Sequence, residues 1–273
     1  MSTIMITGAT DGIGLATARH LASLDHRLVI HGRNPQKLAD ARAAVEAQRE
    51  GSVLGAEVAD LSDLSDVDAL AEAVADLGID ALINNAGVYH TIQPVTDDGL
   101  DVRFVVNTIA PYRLTRQLLP HLPAHGRVVN LSSAAQAPVD LSALAGERRL
   151  DHGAAYAQSK LALTMWTRHL ADEIGPDGPV IVAVNPGSLL ASKMVTQGFG
   201  IAGNDIFIGV DILTRAATAD EFADARGRYY DNDAHRFANP HPQALDTQRT
   251  DLLMSAIDAL IIRLRGASRS DQL

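Results

Sequence analysis

Short, wholly apolar runs alternate with helical patterns from the first residues of this 273-residue chain, and that alternation constrains the fold more than any other feature. Thr3–Thr7, Arg27–His31, Ser52–Val58, Ile79–Asn84, Arg127–Leu131 and Val180–Val184 read as strands. Gly12–Ser23, Pro35–Glu50, Leu64–Leu77, Asp97–Leu119 and Ala154–Ile174 read as the helices between them. Strands with no polar face belong to a parallel sheet covered on both sides. Right-handed crossovers then make the sheet doubly wound. The pattern predicts an α/β fold, one Rossmann-type domain over 1–273. Its parallel sheet would have about seven strands, the last near Arg228–Tyr230. Residues 188–218 lack a clear period and read as a substrate-covering segment. Leu252, Leu253, Ala256, Ile257, Leu260, Ile261 and Leu264 follow an i, i+4 rhythm, which predicts a packing helix within 243–264.

Composition removes several classes of function. With no cysteine, disulfides, thiolate–zinc sites and a thiol nucleophile are excluded. A net charge of -10 argues against a nucleic-acid footprint. No stretch approaches the length of apolar sequence that a membrane span needs, and the start of the chain has no charged leader, so a cytoplasmic location is expected. Only three lysines (Lys37, Lys160 and Lys193) stand against 20 arginines, so each lysine invites a specific explanation.

The first strand runs into Thr7-Gly8-Ala9-Thr10-Asp11-Gly12-Ile13-Gly14 and then a helix. The spacing differs from G-x-G-x-x-G, but the physics is shared. Glycines let the backbone approach a pyrophosphate, which rests on the free N–H groups and dipole of the helix N-terminus. A plain strand-to-helix turn is the alternative. The second strand ends His31-Gly32-Arg33-Asn34. No acid stands there to hold a ribose 2′-hydroxyl, and Arg33 offers a donor fork to a 2′-phosphate. That favours NADP(H). Asp11 pulls the other way, and NAD(H) stays open.

Tyr156 and Lys160 lie four apart within the helix after the fifth strand, and so share a face. A free phenol has a pKa near ~10, and a neighbouring ammonium favours the phenolate. Such a pair can pass a proton to or from an alcohol or carbonyl oxygen.

With these residues in place the chain resembles the short-chain dehydrogenase/reductase superfamily over essentially its whole length. The matching segments are TGATDGIG at 7–14, Asp60-Leu61, Asn84-Asn85-Ala86-Gly87, Asn107, Ser132-Ser133, Tyr156 with Lys160, and Asn185-Pro186-Gly187. The resemblance implies transfer of the pro-S nicotinamide hydride to or from a carbonyl/alcohol substrate. In it, Tyr156 is the acid/base, and Lys160 holds the nicotinamide ribose and lowers the tyrosine pKa. Ser133 polarises the substrate oxygen, and Asn107 holds a helix carbonyl and a relay water. Gly8, Thr10, Asp11, Gly12, Ile13 and Gly14 form the phosphate turn. Arg33 and Asn34 face the adenosine ribose, Asp60 and Leu61 the adenine. Asn85, Ala86 and Gly87 line the cofactor, Pro186 and Gly187 flank the nicotinamide, and Ser192 replaces a carboxamide-holding threonine.

The interval of 23 positions from Ser133 to Tyr156, with HGRN at 31–34 and GRYYDND at 227–233, places the resemblance nearest the retinol-dehydrogenase-like branch. The family implies a homodimer or homotetramer through the helices beginning near Asp97 and Ala154. The extra residues before Tyr156 are an obstacle to that contact, and a monomer is the alternative. A nucleotide-binding regulatory protein on the same fold is the rival function, since a fold alone does not establish turnover.

Other signals read more plainly. His235 and His241 are loop histidines without a carboxylate set at ligand spacing, so no metal is expected. Trp166 and Met165 read as core or subunit-contact residues, and Lys193 as a solvated side chain by default, with a cofactor phosphate as the alternative partner. Leu189, Leu190, Met194, Phe199 and Phe207 fit either a hydrophobic substrate pocket or core.

Overall fold

The computed structural model describes residues 1–191 and 193–270. Eight strands form one sheet: β1 (Thr3–Ile6), β2 (Arg27–Gly32), β3 (Val53–Val58), β4 (Ala81–Asn84), β5 (Arg127–Leu131), β6 (Val180–Asn185), β7 (Tyr229–Asp231) and β8 (Arg236–Ala238). Their order is β3-β2-β1-β4-β5-β6-β7-β8. All neighbours run parallel except β7 and β8, which pair antiparallel with Tyr230 opposite Phe237. The seven parallel strands match the expected count, and β8 is an antiparallel addition at the edge. A three-residue strand carrying Arg236 has neither the length nor the apolar run that marks a buried strand.

β1, β4 and β6 are buried at every position. One apolar core, with Leu82, Phe104, Leu161 and Trp166, fills one face of the sheet. A second, with Ile4, Ile30, Val182 and Phe222, fills the other. Trp166 and Met165 are core residues, at 0% and 1% exposure.

The helices begin where short polar side chains can cap them. Asp11 caps α1 (Gly12–Ser23), Asn34 caps α2 (Pro35–Glu46), and Asp63 caps α3 (Leu64–Val74). The expected helix over 97–119 is interrupted. It comprises α4 (Val102–Phe104), a wide π turn at Val105–Ile109, and α5 (Ala110–Leu118). After the one-turn α6 (Leu141–Leu144), Asp151 caps the long α7 (His152–Ile174). Next come α8 (Lys193–Phe199), α9 (Phe207–Thr218) and α10 (Thr247–Ser270). α10 buries Leu253, Ile257, Leu260 and Leu264, whereas Leu252, placed on the same stripe by its spacing, is half exposed.

A buried polar chain ties the sheet to α7. The Asn84 amide donates to Asn130 Oδ1 at 2.8 Å and Thr115 Oγ1 at 3.0 Å, and the Asn130 amide donates to Thr167 Oγ1 at 2.9 Å. These bonds leave few buried donors unpaired beneath the site and fix β4, β5 and α7 relative to one another. Strand order reverses between β1 and β4, so their carboxyl ends open a crevice.

Candidate active site

The crevice between β1 and β4 begins at the glycine turn. Gly8 takes a left-handed φ of +66°, and a Cβ there would lie 2.9 Å from Ala86 Cα. The Asn85 amide donates to the carbonyls of Thr7 (2.9 Å) and Gly8 (3.0 Å), fastening the turn to the β4 loop. A third clip comes from β2. His31 Nδ1 accepts the Gly8 N–H at 3.1 Å, while Nε2 donates to the Ala59 carbonyl at 3.0 Å. Burial pushes this imidazole below its ordinary pKa, which keeps it neutral and able to do both. The motif includes His31 only as a strand residue. Its use as a clip depends on β3 lying alongside.

The cleft holds about 430 Å³. Its floor and near wall carry Gly8, Thr10, Asp11, Gly12, Ile13 and Gly14. Arg33, Asn34, Asp60 and Leu61 stand at one end, with Lys37 added by the structure. Ala86, Gly87, Asn85 and Pro186 continue toward Tyr156 and Lys160 at the other. Gly187 lies just beyond, its N–H held by Asn185 Oδ1 at 3.3 Å. Ser192 lies outside the described residues, as do the side chains of Met194 and Phe199. Asn34 spends its side-chain oxygen on the Lys37 N–H at 2.9 Å, so it caps α2 rather than offering that atom to a ligand. Asp60 Oδ1 is engaged by the Ser62 N–H (2.9 Å) and hydroxyl (2.8 Å).

At the far end, the Ser133 side chain stands near the Tyr156 phenol and acts to lower its pKa, while the Ser133 hydroxyl accepts the Ala135 N–H at 3.1 Å. Ser132, by contrast, is buried and paired with Thr164 at 2.7 Å. Ser132 lines the cleft with its hydroxyl spent on Thr164, and the second serine is the one whose side chain bears on Tyr156. Tyr89, unflagged by any motif, sets its ring edge-on to Tyr156 with centroids 5.1 Å apart. Behind it, Arg103 is almost wholly buried, with Nη2 2.6 Å from Asp101 Oδ2 and a further bond to His152 at the start of α7. This knot positions the β4 loop against α7. Asn107 sits in the π turn. Its Oδ1 accepts from the Val88 N–H (2.8 Å), and its amide donates to the Val88 carbonyl (3.0 Å) and to Ser159 Oγ (3.0 Å). The carbonyl held by this side chain therefore belongs to the β4 loop, not to a helix.

The electrostatics differ from the expectation that Lys160 draws the tyrosine down. Burial pushes Tyr156 above its ordinary pKa, the Ser133 side chain opposes this, and the Tyr89 phenol adds to it. Lys160 Nζ donates to the Leu131 carbonyl at 2.6 Å and lies 5.7 Å from the Tyr156 ring centroid. Its charge addresses the ring and a backbone oxygen, with little direct hold on the phenol oxygen. Burial also lowers Lys160 itself, from 10.5 to about 8. The unfolded chain therefore holds more protons than the folded one between about pH 8 and 10.5, and stability rises with pH across that window. Lys160→Met should melt higher than wild type at pH 7, and the gain should shrink toward pH 10.5. Thermal melts of both proteins across that range check this.

The expected solvated role of Lys193 is also incomplete. Its ammonium is exposed but forms an ion pair with Asp11 of the glycine turn. At the loop after β6, Asp233 accepts from the Ser188 N–H (2.8 Å) and hydroxyl (2.6 Å), and Asp231 and Asp233 both hold the Asn185 amide. His241 Nδ1 accepts from the Gln243 N–H at 3.2 Å, a local turn contact.

A doubly wound sheet with a glycine cradle at its switch point defines the Rossmann class of nucleotide-binding folds. A family model described as short chain dehydrogenase matches residues 2–199, and the chain belongs to the short-chain dehydrogenase/reductase family, in its retinol-dehydrogenase-like branch. The members of this family are NAD(P)-dependent oxidoreductases acting on CH–OH groups. Retinol dehydrogenase 12 of Bos taurus is 37% identical over 202 residues, a match covering 72% of this chain and 64% of that protein. Retinol dehydrogenase 13 of Homo sapiens is 29% identical over 291 residues, covering 99% and 87%. Among solved structures, an uncharacterised protein from Mycobacterium paratuberculosis is similar with a TM-score of 0.78 and 28% identity, covering 95% of this chain and 93% of that one. A short chain dehydrogenase from Burkholderia cenocepacia J2315 in complex with NADP has a TM-score of 0.67 and 26% identity, covering 84% and 94%. No helix among the described residues is long and apolar enough to cross a membrane.

Proposed function

We propose that this protein is an NADP(H)-dependent oxidoreductase that interconverts a hydrophobic alcohol and its aldehyde or ketone. The observation that carries the proposal is the placement of Tyr156 and Lys160 at one end of a cleft that begins at the glycine turn, with the Ser133 side chain near the Tyr156 phenol. The residues present fit a dinucleotide. Gly8 and Gly14 leave room where any Cβ would strike backbone, and the first turn of α1 offers N–H groups to a pyrophosphate. Arg33 and Lys37 would hold a 2′-phosphate, and neither makes an ion pair among the described residues. The Burkholderia relative in complex with NADP supports the same preference.

When bound, the nicotinamide supplies or takes the hydride. The chain does the rest. Tyr156 gives its phenolic proton to the substrate oxygen in reduction and takes it back in oxidation. A raised pKa keeps the phenol protonated, ready to act as the acid in reduction. Ser133 Oγ, in reach of the same oxygen, donates a hydrogen bond that steadies the developing negative charge. Lys160 orients the nicotinamide ribose through its ammonium. Asn107 holds the β4 loop closed against Ser159, and so keeps Gly87 beside Lys160.

Two features support a hydrophobic substrate. Leu189, Ile201, Phe207 and Ile208 stand exposed along the segment after β6. Two of the similar proteins are retinol dehydrogenases by name. The test is titration of the purified protein with NADPH and NADH, followed by a panel of aldehydes and ketones of graded apolar size, read at the nicotinamide absorbance. Tighter NADPH binding, with turnover that improves with apolar size, is expected. Tight binding without turnover across the panel would favour a regulatory nucleotide-binding role.

A further inference from the structure

Asp11 and Lys193 meet across the mouth of the nucleotide cleft although they are 182 positions apart in the chain. Asp11 Oδ1 accepts the Gly12 N–H at 2.8 Å and caps α1, and its other oxygen holds the Lys193 ammonium. The N-terminus of a helix attracts anions. Here a carboxylate of the chain itself stands at the site where a cofactor phosphate is to be received. Burial is the largest single influence on Asp11 and raises its pKa. The Lys193 hydrogen bond, the Gly12 N–H and the charges of Lys193 and Lys37 together outweigh it and hold the group below its ordinary value. Asp11 is therefore ionised, within electrostatic reach of Lys37, in the cleft that Arg33 also lines.

We propose that the Asp11–Lys193 pair sets cofactor choice, Lys193 cancelling the Asp11 charge so that the cleft admits a 2′-phosphate. This rests on the nucleotide reading above. A free carboxylate at the adenosine ribose accepts from a 2′-hydroxyl and so favours NAD(H), and it repels a dianionic phosphate. Paired with an ammonium, the same carboxylate no longer opposes Arg33 and Lys37. α8 carries the lysine, so the segment after β6 contributes a selectivity determinant to the opposite wall of the cleft.

The experiment is a fluorescence titration with NADPH and with NADH, plus competition by adenosine 2′,5′-bisphosphate. It is run at low salt on wild type, K193M, D11N and the double variant. K193M should lower the ratio of NADPH to NADH affinity about tenfold, as expected for one uncompensated charge near a phosphate. D11N should keep the ratio within about twofold of wild type, since the charge that Lys193 cancels is gone. D11N/K193M should return to within about twofold of wild type, because the lysine has nothing left to cancel. An unchanged ratio in K193M overturns the proposal. So does an equal loss on removing Lys193 from either background, which would make Lys193 a direct phosphate ligand. Wild-type protein that binds neither nucleotide overturns the cofactor reading itself, a result visible before any variant is compared. Both side chains are largely exposed, so the four proteins should melt alike.

Discussion

Tyr156→Phe should lower kcat by about 10²–10⁴-fold while nucleotide affinity stays close to wild type. The phenol oxygen is the proton carrier, whereas the ring supplies the packing. Phenylalanine keeps the edge-on contact with Tyr89 and the face presented to Lys160, and removes only the hydroxyl that stands near Ser133. Stability should change little or rise slightly, since the lost hydroxyl is a partly desolvated polar group. Single-turnover kinetics with NADPH, beside a binding titration, check both halves. Normal turnover in the variant would remove Tyr156 from the chemistry. A large loss of nucleotide affinity would recast it as part of the binding wall.

Gly14→Ala should abolish nucleotide binding, with affinity falling by more than about 100-fold. A Cβ at this position would land on the Gly8 carbonyl oxygen and the Asn85 amide nitrogen, with the Gly8 carbonyl carbon 3.0 Å away. Both struck atoms belong to the clip that fastens the glycine turn to the β4 loop. The Gly8 oxygen is backbone and the Asn85 amide is tied to it, so backbone has to move. Overpacking of this kind costs about 1–3 kcal/mol, and a melting temperature several degrees lower is expected. Titration with NADPH and a thermal melt of the folded variant test this. If the variant binds like wild type, the cradle is not where the nucleotide rests.

The strands of the parallel sheet were legible because burial on both faces leaves few polar residues to blur them. β1, β2, β4, β5 and β6 match their apolar runs almost residue for residue. Legibility ended where short-range pattern stops deciding structure. β8 is three residues long and half exposed, so it carries no strand signature of its own. The break at Val105–Ile109 is invisible because every residue in it is buried and apolar or small, compatible with a regular helix. It depends on seating Asn107 against Val88, in a loop that only the fold brings near.

Within the site, Tyr156, Lys160 and Ser133 could be found by spacing and by their place after a strand. His31, Tyr89 and the partner of Lys193 could not. His31 reads as one more strand residue until Gly8 and Ala59 are found on either side of it. Lys193 reads as solvated until Asp11 is placed opposite. The Tyr156 pKa was misjudged for a related reason. Spacing puts an ammonium on the same helix face as the phenol, but does not reveal that the ammonium reaches a strand carbonyl first.

The wide turn at Val105–Ile109 has a further consequence for how this chain tolerates change in length. Five residues there cover the ground of a single turn, so everything beyond stands one position out of phase with a uniform helix. On the near side, Arg103 and Phe104 face inward; on the far side, Leu114 and Leu118 do. A chain shortened by one residue in this stretch would wind more regularly. It would then have to give up either the grip of Asn107 on Val88 or the seating of Leu114 and Leu118. The 91–98 loop nearby pins far fewer side chains and can absorb an insertion or deletion that this helix cannot.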